Sequence, residues 1–329
     1  MIQIKEVIKK MLPVTVAFLM CIGVAGFLAG CETSGKAVVN PELENTQAVR
    51  IVTTSFPAFD FARQIAGDKA MVTQLLPLGA ESHTYEPTPK DMVMIQNADI
   101  FIYGGGESDS WLDTILDSVG TENTVTLAMM DCVQVLNEEL VEGMQEEGEE
   151  EGEEPDEHVW TSPYNAVLIC QAIEKALCAA DPANKDYYAD NCTEYVAELN
   201  EIAENFTKHL DECENRVIVV ADRFPFRYFT DAFGIEYYAA FPGCSEDAEV
   251  TPATLAFLCD VIKSENITTA FYVDFSSGKI ADSICETVGC GKAQLFSCHN
   301  VTAEQYNSGE TYISLMQRNC DAIIEALGR

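Results

Sequence analysis

From Ala183 to Glu212 the chain contains neither glycine nor proline. Within that stretch Tyr187, Tyr188, Cys192, Tyr195, Val196, Leu199, Ile202 and Phe206 recur mostly every third or fourth residue. That spacing gathers side chains on one face of an α-helix. About 28 residues rising 1.5 Å each make a rod of roughly 40 Å, enough to cross from one lobe to another. A chain of 329 residues with such a rod inside it is expected to fold on both sides of it.

Both sides alternate strand-like and helix-like runs. Before the rod, strands are predicted at Val49–Thr54, Met71–Leu76, Asp99–Tyr103 and Thr124–Leu127. Helical spacing covers Phe59–Ala66, Pro89–Asn97, Trp111–Val119 and Tyr164–Ala179. After it, strands are predicted at Arg216–Ala221, Glu236–Phe241, Thr268–Val273 and Ala293–Ser297, with helices at Phe226–Phe233, Thr254–Ser264, Ile280–Val288 and Tyr312–Leu327. The fold class is therefore α/β: two lobes, each with a mostly parallel four-stranded sheet flanked by helices, joined by one long rigid helix. The expected boundaries are 48–181 for the first lobe, 182–213 for the linking helix and 214–329 for the second lobe. Open sheets of this kind bind ligands beyond the carboxyl ends of their strands.

The N-terminus reads as an export signal. Lys5, Lys9 and Lys10 precede an apolar run from Met11 to Leu28, followed by Ala29, Gly30 and Cys31. A basic start, an apolar stretch and small residues before a break have this pattern. The run is also long enough for a membrane-spanning anchor. Small residues ending at a cysteine resemble a lipobox, with cleavage after residue 30 and a diacylglycerol on Cys31. Residues 31–47 are polar and read as a flexible tether. The protein is expected to work outside the cytoplasm, anchored to the cell membrane as a lipoprotein.

Loss of residues 1–30 removes three lysines and one glutamate, leaving 16 basic and 53 acidic residues and a formal charge of −37. Such a chain repels nucleic acid and anionic membrane surfaces and attracts cations. Part of the charge is local: Glu138–Glu157 holds eleven glutamates and no lysine or arginine. Its plain reading is a solvated loop; the sharper one is a weak cation collector beside a stronger site. Of 13 cysteines, Cys21 leaves with the signal and Cys31 carries the lipid. No C-x-x-C pair occurs among the rest, which argues against a zinc ribbon or thioredoxin-like motif. Several, such as Cys170, Cys178 and Cys259, sit within helical patterns as small buried residues. Disulfide pairing cannot be read from the sequence.

Four histidines are present. His83 follows the second strand, in G-A-E-S-H-T-Y-E-P-T-P; His158 lies in a second loop, D-E-H-V-W-T-S-P. His299 follows the last strand, and His209 lies on the long helix, facing solvent. Asp222 and Asp274 end two strands of the second half. Taken singly each has a bland role: a loop histidine bonded to a carboxylate such as Glu86, or an aspartate capping a helix. Together, imidazoles and carboxylates from both halves form a donor set for zinc or manganese. Such a site would close the lobes on binding, because each supplies part of the shell.

Three segments, Gly79–Asp91, Asn97–Asp113 and Asp156–Pro163, together resemble the cluster A-I metal-binding lipoproteins. These are the solute-binding proteins of zinc and manganese ABC transporters, of the zinc-uptake and TroA-like type. The resemblance runs from about Val49 to the C-terminus. It implies two α/β lobes joined by a rigid helix with metal between them, ligands at His83 and His158, and a carboxylate ligand at Asp274. The family's third ligand follows the first strand of the second lobe. Here that position falls on Asp222 or Arg223, and arginine stays protonated, so Asp222 is the expected ligand. His299 has no counterpart in the family pattern and is a candidate replacement. The Glu-rich run stands where zinc members carry an acidic, histidine-rich loop, here without histidines.

The function implied is capture of a divalent metal, Zn²⁺ ahead of Mn²⁺ or Fe²⁺. The metal would pass to a membrane permease driven by a cytoplasmic ATPase, from a binding protein that acts as a monomer. No nucleophile elbow, Walker loop, H-E-x-x-H or G-x-G-x-x-G occurs, so no catalysis is expected. The rival classes are a zinc hydrolase, with Glu81 or Glu86 as base, and an adhesin in which the metal is structural.

Overall fold

A computed structural model describes residues 38–39, 48–81, 83–112, 124–144, 154–245 and 249–328. The signal and Cys31 lie outside these residues, as do most of the tether, positions 145–153 of the acidic run and most of the helix expected at Trp111–Val119.

The chain order begins with β1 (Val38–Val39), β2 (Val49–Thr53), α1 (Phe56–Ala66), β3 (Ala70–Gln74), α2 (Pro89–Gln96), β4 (Ile100–Tyr103) and β5 (Val125–Ala128). Helices α3 (Pro163–Ala180) and α4 (Lys185–Leu210) follow. The second half contains β6 (Val217–Arg223), α5 (Arg227–Phe233), β7 (Glu236–Phe241), α6 (Pro252–Ser264), β8 (Thr269–Val273), α7 (Lys279–Val288), β9 (Gly291–Leu295), α8 (Ala303–Asn307) and α9 (Tyr312–Leu327).

Two sheets form, ordered β1-β3-β2-β4-β5 and β7-β6-β8-β9. Strands β2 to β5 pair in parallel, as do β6 to β9. Each half thus has the four parallel strands that the βα alternation implies. The two-residue β1, within the stretch read as tether, adds an antiparallel edge: Val38 pairs with Gln74 and Val39 with Thr73. It is too short for a periodicity signal.

Side chains alternate between the faces of each strand, so each sheet contributes to two cores. On the inner faces, Val49 and Ile51 of β2, Ile100 and Ile102 of β4, Ile218 and Val220 of β6, and Phe271 and Val273 of β8 belong to one continuous core. The long helix α4 joins this core through Tyr188, Cys192, Tyr195, Leu199, Ile202, Ala203, Phe206 and Leu210. On the outer faces, Val219, Ala221 and Ala270 pack with residues of α6 and α7. Val52 and Phe101 pack with Ile95 of α2. A buried polar centre ties the inner layer: the Asp60 carboxylate accepts from the Arg63 side chain, the Tyr195 hydroxyl (3.2 Å) and the Tyr312 backbone N–H (2.9 Å). It thereby pins α1, α4 and α9 together. The linking helix is therefore packed along its length as part of the core.

Several boundaries move by one to three residues relative to the sequence reading, among them those of α1 and β6. Helix α1 starts three residues early, with Pro57 in its first turn, where the fixed φ of proline suits a helix start. Strand β6 runs on to Arg223, through a register irregularity between Val220 and Arg223. Asp222 therefore lies inside the strand.

Candidate metal centre

The carboxyl ends of both sheets face one cavity, lined among others by Glu81, His83, His158, Arg223, Asp274 and His299. Four residues bring ligand atoms within 4.8 Å of one another: His83, Glu157, His158 and His299. The three imidazole centroids form a near-equilateral triangle, with sides of 6.1, 6.0 and 6.1 Å.

Each imidazole is held by a specific partner. His83 lies in the loop between β3 and α2. That loop ends in a capping box, in which Thr88 accepts from the Asp91 N–H and Asp91 accepts from the Thr88 N–H. Its Nδ1 is 2.9 Å from Ser108 Oγ. Ser108 in turn donates to Glu157 Oε1 (2.5 Å) from its hydroxyl and to Oε2 (2.9 Å) from its backbone N–H. The carboxylate near His83 is therefore Glu157, at 3.8 Å; the Glu86 considered from sequence is exposed.

His158 is almost fully buried, and its Nδ1 lies 3.2 Å from Asp156 Oδ1. A carboxylate on one ring nitrogen leaves the other for a metal and fixes the ring's direction. The His299 ring lies 4.8 Å from that of Trp160, tilted by 58°; the Trp160 Nε1 donates to the Ser297 carbonyl at 2.9 Å. The His299 carbonyl accepts from the N–H of Phe56 in the first half, at 3.1 Å.

The neighbouring Asn300 donates to the carbonyls of Pro77 and Ala80, at 2.8 and 2.9 Å, and accepts from the Gln74 amide at 3.2 Å. This asparagine stitches the His83 loop to the last strand's loop. No sequence signal in a lone asparagine marks such a role.

Backbone strain collects at the site. Among the described residues, the non-glycine positions with positive φ are Asn266, Phe275 (63°) and Cys298 (60°). Phe275 follows Asp274 and Cys298 precedes His299. Left-handed backbone at a phenylalanine is a strained outlier of the kind that surrounding packing must hold in place. Gly106, with φ of 106°, brings the chain so close to Glu157 that a Cβ would sit 2.7 Å from the Glu157 Cβ.

Burial pushes the His83 pKa below its ordinary value, helped by His158 and Arg223 and opposed by Glu157 and Glu81. It pushes His299 well below, with His158, His83 and Arg223 acting the same way. For His158 burial also acts downward, but Asp156, Glu157 and Glu138 outweigh it and the pKa is raised. Two rings are thus neutral donors at neutral pH, and the third holds its proton more tightly.

The structure brings together His83, His158 and His299 of the sequence candidates. Asp274 lines the same cavity, where its Oδ1 accepts from the Ser297 N–H at 2.8 Å. Burial raises its carboxyl to about 7, against the bonds from Ser297. Asp222 stands apart: its oxygens accept from the N–H groups of Arg223 (3.0 Å) and Val273 (3.4 Å), and it does not line the cavity. Arg223 does line it, and pairs with Glu81 across the mouth at 3.3 Å.

Sequence reasoning missed Glu157. It directly precedes His158 but was one of eleven glutamates in a run read as solvated. The ends of that run are built into the site. Asp156 and Glu157 are 1% and 2% exposed, and Glu138 accepts from the Cys244 N–H at 3.0 Å.

Three imidazoles and one carboxylate suit a tetrahedral ion of borderline softness. Zinc takes nitrogen and carboxylate oxygen at about 2.0–2.2 Å, which places donors roughly 3.3 Å apart in a tetrahedron. A spread of up to 4.8 Å therefore asks the donors to draw inward as the ion enters.

Known proteins share this architecture. The family of the zinc-uptake complex component A, periplasmic (ZnuA), matches residues 51–326. The high-affinity zinc uptake system protein ZnuA of Bacillus subtilis is 31% identical over 286 residues, covering 85% of this chain and 88% of that one. The zinc-binding lipoprotein AdcA of Streptococcus pneumoniae is 30% identical over 277 residues, 84% of this chain but only 55% of its own length. The manganese ABC transporter substrate-binding lipoprotein PsaA of S. pneumoniae is 28% identical over 329 residues, 98% and 100% of the two chains. The Zn(II)-bound ZnuA-like domain of S. pneumoniae AdcA superposes with a TM-score of 0.72 at 28% identity, over 86% of this chain and all of that domain. By fold, by the extent of the match and by similarity to these relatives, the chain belongs to the ZnuA family of metal-binding solute-binding proteins.

Proposed function

We propose that this protein captures Zn²⁺ between its two sheets and delivers it to an ABC-transporter permease powered by an ATPase. His83, Glu157, His158 and His299 are the ligands in this reading. The observation that carries it is the convergence of three imidazoles and a carboxylate whose ligand atoms all lie within 4.8 Å of one another. All four come from the protein, which suits tight, reversible holding of an ion; a hydrolytic zinc would keep a position for water. Release follows when the loops that carry the donors move apart, three donors coming from the first half and His299 from the second. Lipidation at Cys31 would keep the protein outside the cytoplasm at the membrane that holds the permease. No described helix is long and apolar enough to cross a membrane.

The test is metal analysis of the purified mature chain followed by calorimetric titration with Zn²⁺ and Mn²⁺. One tight zinc per chain, lost in His83→Ala and in His299→Ala, is the expected outcome. Unchanged zinc affinity in both variants would overturn the site. Manganese is the second reading. Glu81 and Asp274 in the cavity offer harder oxygen donors, and one relative of full length is a manganese protein. Tighter Mn²⁺ than Zn²⁺ binding in a direct competition would select it.

A further inference from the structure

Far from the metal cavity, at the amino end of β9, two thiols meet. Cys285 lies on the last turn of α7. Gly289, at φ 82°, donates its N–H to the Cys285 carbonyl and turns the chain back. Cys290 then enters β9 with its Sγ 3.0 Å from Cys285 Sγ, inside the ordinary contact distance of two sulfur atoms. Cys285 Sγ also lies 3.1 Å from the Gly291 carbonyl. Both residues are half-buried, so a solvent-borne reagent reaches them, whereas their nearest thiol neighbour in this core, Cys259, is 5% exposed. β9 is an edge strand, paired on one side by β8, and its far end leads into Ser297 and His299.

We infer that Cys285 and Cys290 form a dithiol that closes to an intramolecular disulfide, stapling the end of α7 to the start of the edge strand that carries the His299 loop. An exported chain meets disulfide oxidants of the kind this requires. Burial, and then the hydrogen bond shared with Cys290, push the Cys285 thiol up to about 12, so Cys285 keeps its proton and Cys290 attacks first. Its thiolate takes one sulfur of a small-molecule or protein disulfide, and one thiolate leaves. Cys285 gives its proton to solvent and attacks the Cys290 sulfur, expelling the second thiolate. The Sγ–Sγ bond forms, and the oxidant's disulfide takes up two electrons and two protons as two thiols.

Trypsin provides a direct readout. Cleavage after Lys279 and Lys292 releases Ile280–Lys292, which contains Cys285 and Cys290 and no other cysteine. The folded chain, freed of metal by a chelator, is equilibrated with graded ratios of reduced and oxidised glutathione, quenched in acid, labelled with N-ethylmaleimide under denaturing conditions and digested. With oxidised glutathione the peptide should be lighter by two hydrogens and carry no label; with reduced glutathione it should carry two labels. The oxidised protein should melt a few degrees above the reduced one, and a Cys285→Ser/Cys290→Ser variant should melt alike in both. Two labels at every ratio, or either residue joined to Cys259 or retained as a glutathione adduct, would overturn the inference. So would protection of the peptide from label in unchelated protein but not after chelation, which would mark the thiols as metal ligands.

Discussion

His299 is the residue on which the ligand set turns. Arg223 lines the cavity, and arginine, always protonated, cannot coordinate. The His299 ring, 6.0 Å from His83 and 6.1 Å from His158, completes the triangle from a different loop. His299→Ala should weaken zinc binding by about a hundredfold or more, beyond what outer-shell changes typically cost. His209→Ala should leave it unchanged, because that side chain is exposed and occupied with the Asn205 carbonyl at 2.8 Å. Competition titration against a zinc chelator measures both, and equal effects would refute the assignment. Protonation adds a second expectation. A bound zinc requires neutral rings, and His158, with its raised pKa, keeps its proton to higher pH than a free imidazole. Zinc affinity should therefore fall as pH is lowered through neutrality, with His158 releasing a proton to the buffer on binding. Titration near pH 7 in buffers of different ionisation enthalpy detects that proton; no buffer dependence there or at lower pH would contradict it.

At the scale of elements, the site is assembled by loops whose backbones are held in unusual positions. Gly106 opens the short turn that carries Ser108 and leaves room for Glu157. Gly106→Ala would combine a disfavoured φ, costing about 1–3 kcal/mol, with a collision against Glu157. Zinc affinity should drop while the far-ultraviolet spectrum stays native; full affinity would show that Glu157 is not needed where it stands. The Glu81–Arg223 pair joins the β3–α2 loop to β6 at the cavity mouth, and its two charges act oppositely on a cation. Glu81→Gln leaves a guanidinium unpaired beside the metal and should weaken binding roughly fivefold, an effect of about 1 kcal/mol for a partly exposed charge. Arg223→Met removes repulsion and should not weaken it. Equal losses in the two variants would mean that the pair serves as a mechanical clasp instead.

Across the whole molecule, ion binding and folding should be linked, because the proposed ligands come from both halves and meet only in the native state. Ligand bound to the folded form alone stabilises by RT ln(1 + [L]/Kd), about 4 kcal/mol at a thousandfold excess over Kd. Thermal unfolding should thus shift upward by several degrees with zinc and return with a chelator. A melting temperature indifferent to zinc would mean that the four donors do not hold the ion in the folded chain. The shared inner core bears on how the lobes move: α4 is packed along its length against α1, α3 and α9, so closure over the ion is expected as a small inward shift of loops. The required contraction, from up to 4.8 Å to roughly 3.3 Å between donors, is of that size.

The alternation of period-two and period-3.6 runs determined the class of fold by itself, because which residues face inward is a local property of strand and helix. Rare histidines after strands marked His83 and His299 for the same reason: the carboxyl ends of strands are where an open sheet leaves room; His158 was marked by its rarity in a second loop. Tertiary structure alone decided which carboxylates join them. Glu157 was hidden in a run of like residues, and only its bonds from Ser108, 49 positions away, separate it from the rest. Asp222 had the right residue type at a strand end, but β6 runs on through it and its carboxylate lies outside the group of close donors formed by His83, Glu157, His158 and His299. Periodicity reports the facing of a side chain within its own element; whether that side chain is left over for an ion depends on partners that only the folded chain brings near.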